Sequence, residues 1–498
     1  MNVSYWLGTS PPTDYPPYKP DGRVLDAVVV GGGITGLTTA LLLAQAGATV
    51  AVVEAGRIAV GVTGYTTAKV SSLHGLTYAS LEKTLGADAA RTYAEANEAG
   101  LAEIARLVSE LGIDCDFERL PAFTYTEEAG QVASIEAEVE AARRAGLAAS
   151  FTAETDLPYP VRGAIRVEDQ AQFHPRRFCL ALAEAIVRSG GSVFEQTRVM
   201  GVDEGAPCGV KTADGELAAN QVVIATQLPI VDKAGLFARA HPERSYAMTV
   251  TLDGPAPQGM YLSADSLTRS VRPVVAGGRE AVLGGEGHKV GHDPDTRERY
   301  AALEAWARDR FDVADITYRW SAQDYVPADS VPYIGRAGPR SQRLLVATGF
   351  KKWGMSTAAV AAMILRDRIG GRPNPWAELF DSTRLDVKGE AKSFITENVD
   401  VAKRFVGDRI RARSAPPAVE LAPGEGGIAE LDGEHVAAFR DDDGRLHAVS
   451  ARCTHMGCLV AWNTAERSWD CPCHGSRFDP DGNILQGPAI SPLEPHST

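Results

Sequence analysis

The chain has 498 residues, of which 44% are hydrophobic and 23% charged, and its formal net charge is −14. One hydrophobic core stops growing well below this length, so at least two domains are expected. The acid excess argues against nucleic acid or an anionic membrane surface as the natural partner, and for a small molecule or a protein. The first segment, MNVSYWLGTSPPTDYPPYKPDGR, has no basic start followed by an apolar core, so no secretory signal is read there and a cytoplasmic location is expected. Of the seven cysteines, Cys115, Cys179 and Cys208 are scattered and read as small buried hydrophobes, whereas four crowd into residues 453 to 473.

Residues 25 to 53 are apolar enough to suggest a membrane span, but their glycines give a better reading. In LDAVVVGGGITGLTTALLLAQAGATVAVVEAG, Val28 to Val30 predict a buried strand, and Leu37 to Ala46 an amphipathic helix ended by Gly47. Thr49 to Val53 predict a second strand closing on Glu54. Between the first strand and the helix, Gly31, Gly33 and Gly36 complete GxGxxG, with Ile34 and Thr35 inside it. The first glycine makes the tight turn, the second admits a pyrophosphate to the backbone, and the third lets helix pack on strand. The anion would sit on the helix N-terminus and Glu54 would hold a ribose hydroxyl. No second copy occurs, because GGEGHKVG at 284 to 291 runs into HDPD rather than a helix.

GVTGYTTAKVSSLHGL follows at 61 to 76, with Lys69 a charged residue in an otherwise apolar loop and His74 a weaker candidate. Residues 76 to about 160 read as helical, VEDQAQFHPRRFCLALAEAIVRSGGSVFEQTRV as a return to the cofactor domain, VVIATQ as another buried strand, and 236 to 330 as strand-rich. Then comes DYVPADSVPYIGRAGPRSQRLLVATGFKKWGMSTAAVAAMILRDRIGG. With the fingerprint, these segments resemble the D-amino-acid oxidase superfamily of flavoenzymes, which includes glycine and sarcosine oxidases, over roughly residues 24 to 385. That resemblance implies FAD lined by Thr63, Gly64, Thr66, Thr67 and Ala68, by Gly335, Gly349, Gly354, Met355 and Ser356, and by Val199 at the adenine. A helix starting near Met355 would turn its positive end toward the negative charge of a reduced flavin. Lys69 would be a flavin-facing base or hold a substrate carboxylate, with Lys352 a weaker candidate. Where many relatives place a carboxylate-binding arginine, this chain has QDYVPAD. Asp324 at that position would suit a cationic amine, with Arg319 or Arg336 as compensating cations.

Residues 386 to 417 show helical spacing at Phe394, Val399, Val401, Phe405 and Ile410, then prolines, and predict a docking helix and stiff linker. From 418 to 498 a small all-β domain is expected: GIAELDGEHVAAFRDDDGRLHAVS reads as two alternating runs joined at DDDGR. CTHMGC at 453 to 458 and CPCHGS at 471 to 476 each carry one ligand pair, Cys453 with His455 and Cys471 with His474. Zinc fingers instead group their cysteines together and their histidines together on a helix. One of each per loop suits a 2Fe-2S cluster with cysteines on one iron and histidines on the other.

Both loops resemble Rieske proteins of the cytochrome bc type, and that resemblance implies a disulfide between Cys458 and Cys473. Ser476 matches too, but a tyrosine two residues later in the respiratory proteins is Phe478 here, which implies a reduction potential below theirs. Pro488 matches the proline segment covering the cluster. Residues 416 to 498 carry a net −8, more than half of the total, which on a surface would suit a basic electron carrier.

The expected fold is therefore an α/β Rossmann-like FAD domain, about 24–75, 160–235 and 330–385. An α+β substrate domain, about 76–160 and 236–330, and a Rieske domain would accompany it. The expected activity is a dehydrogenase that oxidises an amine or amino acid by hydride transfer to FAD. Electrons would then leave singly through the cluster to a one-electron carrier protein or quinone-type acceptor. A flavin reductase or monooxygenase-like enzyme fed through the Rieske domain is the first alternative, and a non-catalytic electron-transfer or redox-sensing module the second.

Overall fold

The computed structural model describes residues 2–291, 295–384 and 416–496. The predicted docking helix and most of its linker fall on 386–415, outside the described residues. No helix among the described residues is long and apolar enough to cross a membrane.

Strand Val24–Val30 pairs in parallel with Val50–Val53 and with Gly215–Ile224, which in turn pairs in parallel with Leu344–Thr348. These are the inner strands of an eight-stranded sheet. Their apolar ends, residues 27–30, 50–53, 222–224 and 344–347, are buried, as covering on both faces requires. Helix Ile34–Gln45 is not amphipathic as expected: every residue from Ile34 to Ala44 is buried. It lies in a three-way packing with the sheet, with Gly354–Ile369 and with Pro175–Arg188, so no face is left for water.

The second sheet has nine strands, in the order Val313–Pro327, Ala240–Leu252, Glu280–Lys289, Ser270–Pro273, Met260–Ser263, Glu118–Thr126, Gly163–Gln172 and Lys69–Val70, with Ala149–Thr152 off that path. Helices Thr77–Leu85, Ala87–Leu111 and Val132–Arg144 accompany it, as the helical reading of residues 76 to 160 expects, but that stretch also supplies strands Glu118–Thr126 and Ala149–Thr152, both paired with Gly163–Gln172. Residues 163–172 pair with Glu118–Thr126 and so belong to this sheet. The chain re-enters the first sheet about ten residues later than the sequence boundary, through helix Pro175–Arg188.

The last domain is all-β. A three-stranded sheet, Gly426–Leu431, Glu434–Arg440 and Leu446–Ser450, is followed by four short strands between Ala461 and Gln486. The expected hairpin at DDDGR is present, with Arg440 opposite Leu446, and a further turn at Asp432 and Gly433 splits the first run into two strands. The N-terminal segment is not a loose leader. Trp6 is 1% exposed in a short helix, Tyr5–Gly8, with the Arg272 guanidinium 5.0 Å from its ring centre.

Candidate functional site

A cavity of about 900 Å³ runs from the glycine turn to the edge of the all-β domain. At one end, Gly33 caps helix Ile34–Gln45 without any side-chain hydrogen bond, and the amide of Ile34 meets only the Thr63 hydroxyl, at 3.1 Å. A Cβ on Gly36 would lie 1.9 Å from the Gly31 carbonyl, so only glycine lets the helix start this close to the strand. Gly31, Gly33, Ile34, Thr35, Glu54, Thr63, Thr66, Thr67 and Val199 all line the cavity. An uncapped, buried helix N-terminus opening into so large a space fits a dinucleotide pyrophosphate. Glu54 accepts from the amides of Gly32 and Gly56, each at 2.8 Å. Burial pushes its carboxyl up, and two of its four lone-pair positions remain for a ribose.

At the other end, Gly354 and Met355 open helix Gly354–Ile369 into the same cavity, beside Lys69, Asp324 and Lys352. The structure does not bring Gly36, Gly64, Ala68, Gly335, Gly349 or Ser356 to the wall. They stand behind it: a Cβ on Gly64 would meet the Ala59 carbonyl at 2.5 Å, and one on Gly349 would meet Pro327 at 2.7 Å. Ala68 and Gly335 take positive φ angles of 60° and 151°, and the Ser356 hydroxyl donates to Asn97 at 3.1 Å. His74 is a supporting residue. It stacks on Trp353 at 4.4 Å, bonds to the Tyr93 hydroxyl at 2.7 Å and the Ser71 carbonyl at 2.6 Å, and burial keeps it neutral, down to about 3.

Three charged side chains differ in how they are held. Lys69 is buried, bonds to the Ser270 hydroxyl, and is brought down to about 7 by burial and then by the Arg272 cation. Lys352 pairs with Glu243 at 2.8 Å and is partly exposed. Asp324, its carboxyl pushed up by burial, accepts from the amides of Tyr325 and Lys352, and so braces a turn in which Lys351 and Lys352 both have positive φ. Neither Arg319 nor Arg336 lines the cavity. Arg319 is tied to Glu304 at 2.7 Å.

In the all-β domain, Cys458 and Cys473 form the expected disulfide. The sulfurs of Cys458, Cys471 and Cys473 lie within 4.8 Å of one another, but the two bonded ones are not thiolate donors. Cys453 and Cys471 are free and buried. The neighbouring Cys471 thiol, with the amides of His455 and Met456 and the Ser476 hydroxyl, holds the Cys453 thiol below its ordinary value against the opposing effect of burial. The rings of His455 and His474 meet edge to face with centres 5.0 Å apart, and the Nδ1 atom of each is buried without a hydrogen-bond partner. Two neighbouring buried thiols and two orphaned imidazole nitrogens on adjoining rings fit a 2Fe-2S cluster held by two cysteines and two histidines.

Sequence reasoning missed the surfaces that join these sites. The Ser4 hydroxyl donates to the Gly64 carbonyl and the Trp6 indole to the Thr66 carbonyl, the latter at 2.7 Å, so residues before the first strand buttress the cavity loop. Glu466, Arg477 and Gln486 of the all-β domain line the cavity itself. An isolated polar N-terminus carries no periodic signal for the first. For the second, the only sign was that the two domains share one chain.

The FAD dependent oxidoreductase family (DAO) matches residues 26–368, and the Rieske [2Fe-2S] domain family matches residues 415–497. YhfW of Bacillus subtilis (strain 168), designated provisionally as a Rieske 2Fe-2S iron-sulfur protein, is 36% identical over 99% of this chain and 97% of its own length. Gamma-glutamylputrescine oxidoreductase of Escherichia coli (strain K12) is 26% identical, covering 72% of this chain and 85% of its own. Among solved structures, glycine oxidase from Geobacillus kaustophilus superposes with a TM-score of 0.62 at 18% identity, over 73% of this chain and all of that one.

Proposed function

The chain belongs to the FAD-dependent oxidoreductase (DAO) family and carries a Rieske [2Fe-2S] domain behind it, and from that premise we propose a dehydrogenase that oxidises an amine or amino acid and delivers the electrons through the cluster to an external acceptor. Its cofactors are FAD and one 2Fe-2S cluster. The observation that carries the reading is the shared cavity: one space is walled by the dinucleotide turn, by Lys69 and by Glu466, Arg477 and Gln486 of the Rieske domain. Gly31, Gly33, Thr35 and Glu54 would hold the dinucleotide, and Cys453, His455, Cys471 and His474 the cluster. The flavin supplies a two-electron acceptor that can also release electrons one at a time.

The protein's own groups do the rest. Lys69, brought down to about 7, would take the proton from a substrate ammonium, because only the free amine can give up hydride. Asp324 braces the turn in front of Gly354 by accepting from the Lys352 amide. An amine or amino acid is favoured because Lys69 is poised as a base and because gamma-glutamylputrescine oxidoreductase is among the relatives. Per substrate, a hydride and a proton leave and two electrons pass on to two equivalents of a one-electron acceptor. The net −8 of the last domain suits a basic carrier protein in that role. A cytoplasmic site of action goes with this reading.

Anaerobic potentiometric titration of the purified protein, following the flavin by absorbance and the cluster by EPR, tests the direction of flow. A cluster potential above that of the flavin couple is expected, and a cluster well below it would sink the dehydrogenase reading in favour of a reductase partner.

A further inference from the structure

Between Ser321 and Tyr325, the long strand Val313–Pro327 turns alternate side chains to opposite sides. On one side, Asp324 accepts from the Lys352 amide at the cavity wall. On the other, three side chains in register reach the Rieske domain. The Ser321 hydroxyl donates to Glu466 at 2.9 Å, the Gln323 amide nitrogen to the Gly475 carbonyl at 2.8 Å, and the Tyr325 hydroxyl to the His474 carbonyl at 2.7 Å.

The orientation of Gln323 is fixed, since its oxygen accepts from the Arg244 guanidinium at 3.1 Å, which leaves its nitrogen for Gly475. Gln323 is 2% exposed and Tyr325 fully buried, so water does not compete for these bonds. The approach is close: a Cβ on Gly475, at φ 72°, would lie 2.4 Å from the Gln323 nitrogen and 2.8 Å from the Tyr325 hydroxyl. Phe237 completes the contact, edge-on to His474 at 5.4 Å and to His455 at 6.2 Å. Within the loop itself, the Gly475 amide shares its peptide unit with the His474 carbonyl and donates to the Cys471 carbonyl at 2.9 Å, so the Tyr325 donor on His474 also acts on the cysteine ligand's peptide.

We propose that Tyr325 and Gln323 are positioning residues for the cluster. Strand Val313–Pro327 of the oxidoreductase, through its donors to two consecutive carbonyls of the CPCHGS loop, sets the orientation of His474 and the electronic surroundings of the iron it would hold. Outer donors of this kind withdraw electron density from ligands and raise reduction potentials. One strand therefore braces the cavity turn with Asp324 and tunes the cluster with its neighbours on either side. The inference rests on His474 being a cluster ligand, as proposed above.

The test uses the full-length protein loaded with FAD and cluster. Tyr325→Phe and Gln323→Glu each remove a donor to the loop, and the glutamate keeps the contact with Arg244. Thr296→Ala is the control. It breaks bonds of the same interface, to Asn463 at 2.7 Å and from Ala465 at 2.9 Å, without touching the cluster loops. The readouts are the cluster's EPR g-values and its midpoint potential.

Both loop variants are expected to shift the g-values and lower the potential, with Thr296→Ala at the wild-type value. Loss of the cluster from both loop variants, with FAD retained and Thr296→Ala intact, also upholds the proposal. Wild-type potentials in Tyr325→Phe and Gln323→Glu, or an equal shift in Thr296→Ala, would overturn it. Absence of a Rieske signal from the wild-type protein would instead defeat the ligand assignment.

Discussion

At Lys69, chemistry and stability pull in opposite directions, and both can be measured. Burial and then the Arg272 cation bring its ammonium from the ordinary 10.5 to about 7. Between those two values the unfolded chain carries a proton that the native one does not, so stability rises with pH across that window and the cost is complete below it. Each unit of depression is worth about 1.4 kcal/mol, so Lys69→Met is expected to raise the thermal midpoint at neutral pH. The same substitution should remove the rise of kcat/KM through pH 7 that a neutral amine predicts. A mutant that keeps this limb would assign the proton transfer elsewhere. The sequence marked Lys69 because a lysine interrupts an apolar loop. It marked Gly36 because a carbonyl 1.9 Å from where its Cβ would be tolerates no other residue. Tyr325 gave no such mark: its partner lies 149 residues away, and a tyrosine in a strand is ordinary until the other domain is seated on it.

Among the elements, those with a repeating signal were readable. The two parallel strands and the turn between them follow from apolar runs and glycine spacing, and the hairpin at Arg440 and Leu446 from alternation around DDDGR. Helix Ile34–Gln45 was expected from Leu37, three residues late, and given an exposed face, because single-sequence periodicity does not show how many neighbours cover a helix. The short helix Tyr5–Gly8 had too few residues to show any period. Its importance lies in one side chain. Trp6 fills a buried site, donates to the Thr66 carbonyl at 2.7 Å and packs beneath Arg272. A buried Trp→Ala change costs about 3–5 kcal/mol. Here that loss falls on the loop 61–69, which lines the cavity. Trp6→Ala is therefore expected to lower the melting temperature and to release FAD before global unfolding, seen as free flavin fluorescence ahead of the circular dichroism transition. Coincident transitions would show that the segment braces the whole fold rather than the loop.

For the whole molecule, the decisive feature is a polar seam between two domains that the sequence shows only as neighbours along the chain. Asp470 sits at its centre, 3.3 Å from Arg244 of the oxidoreductase and 3.1 Å from Arg477 of its own domain. Burial would raise its carboxyl, but the Arg477 and Arg244 guanidiniums hold it below the ordinary value. A depressed acid stabilises the native state at all pH values above its unfolded range and loses that contribution only as acid protonates it, so the seam is intact at neutral pH. Asp470→Leu would leave two buried guanidiniums short of a counter-charge, a loss of about 3–5 kcal/mol. Removing Arg244 as well, in Asp470→Leu/Arg244→Met, takes away one orphaned charge and should recover part of the stability. If Arg244 serves the seam, the double variant melts above Asp470→Leu in calorimetry. Equal melting of the two would mean that Arg477 by itself balances Asp470 and that Arg244 is not the counter-charge of the seam.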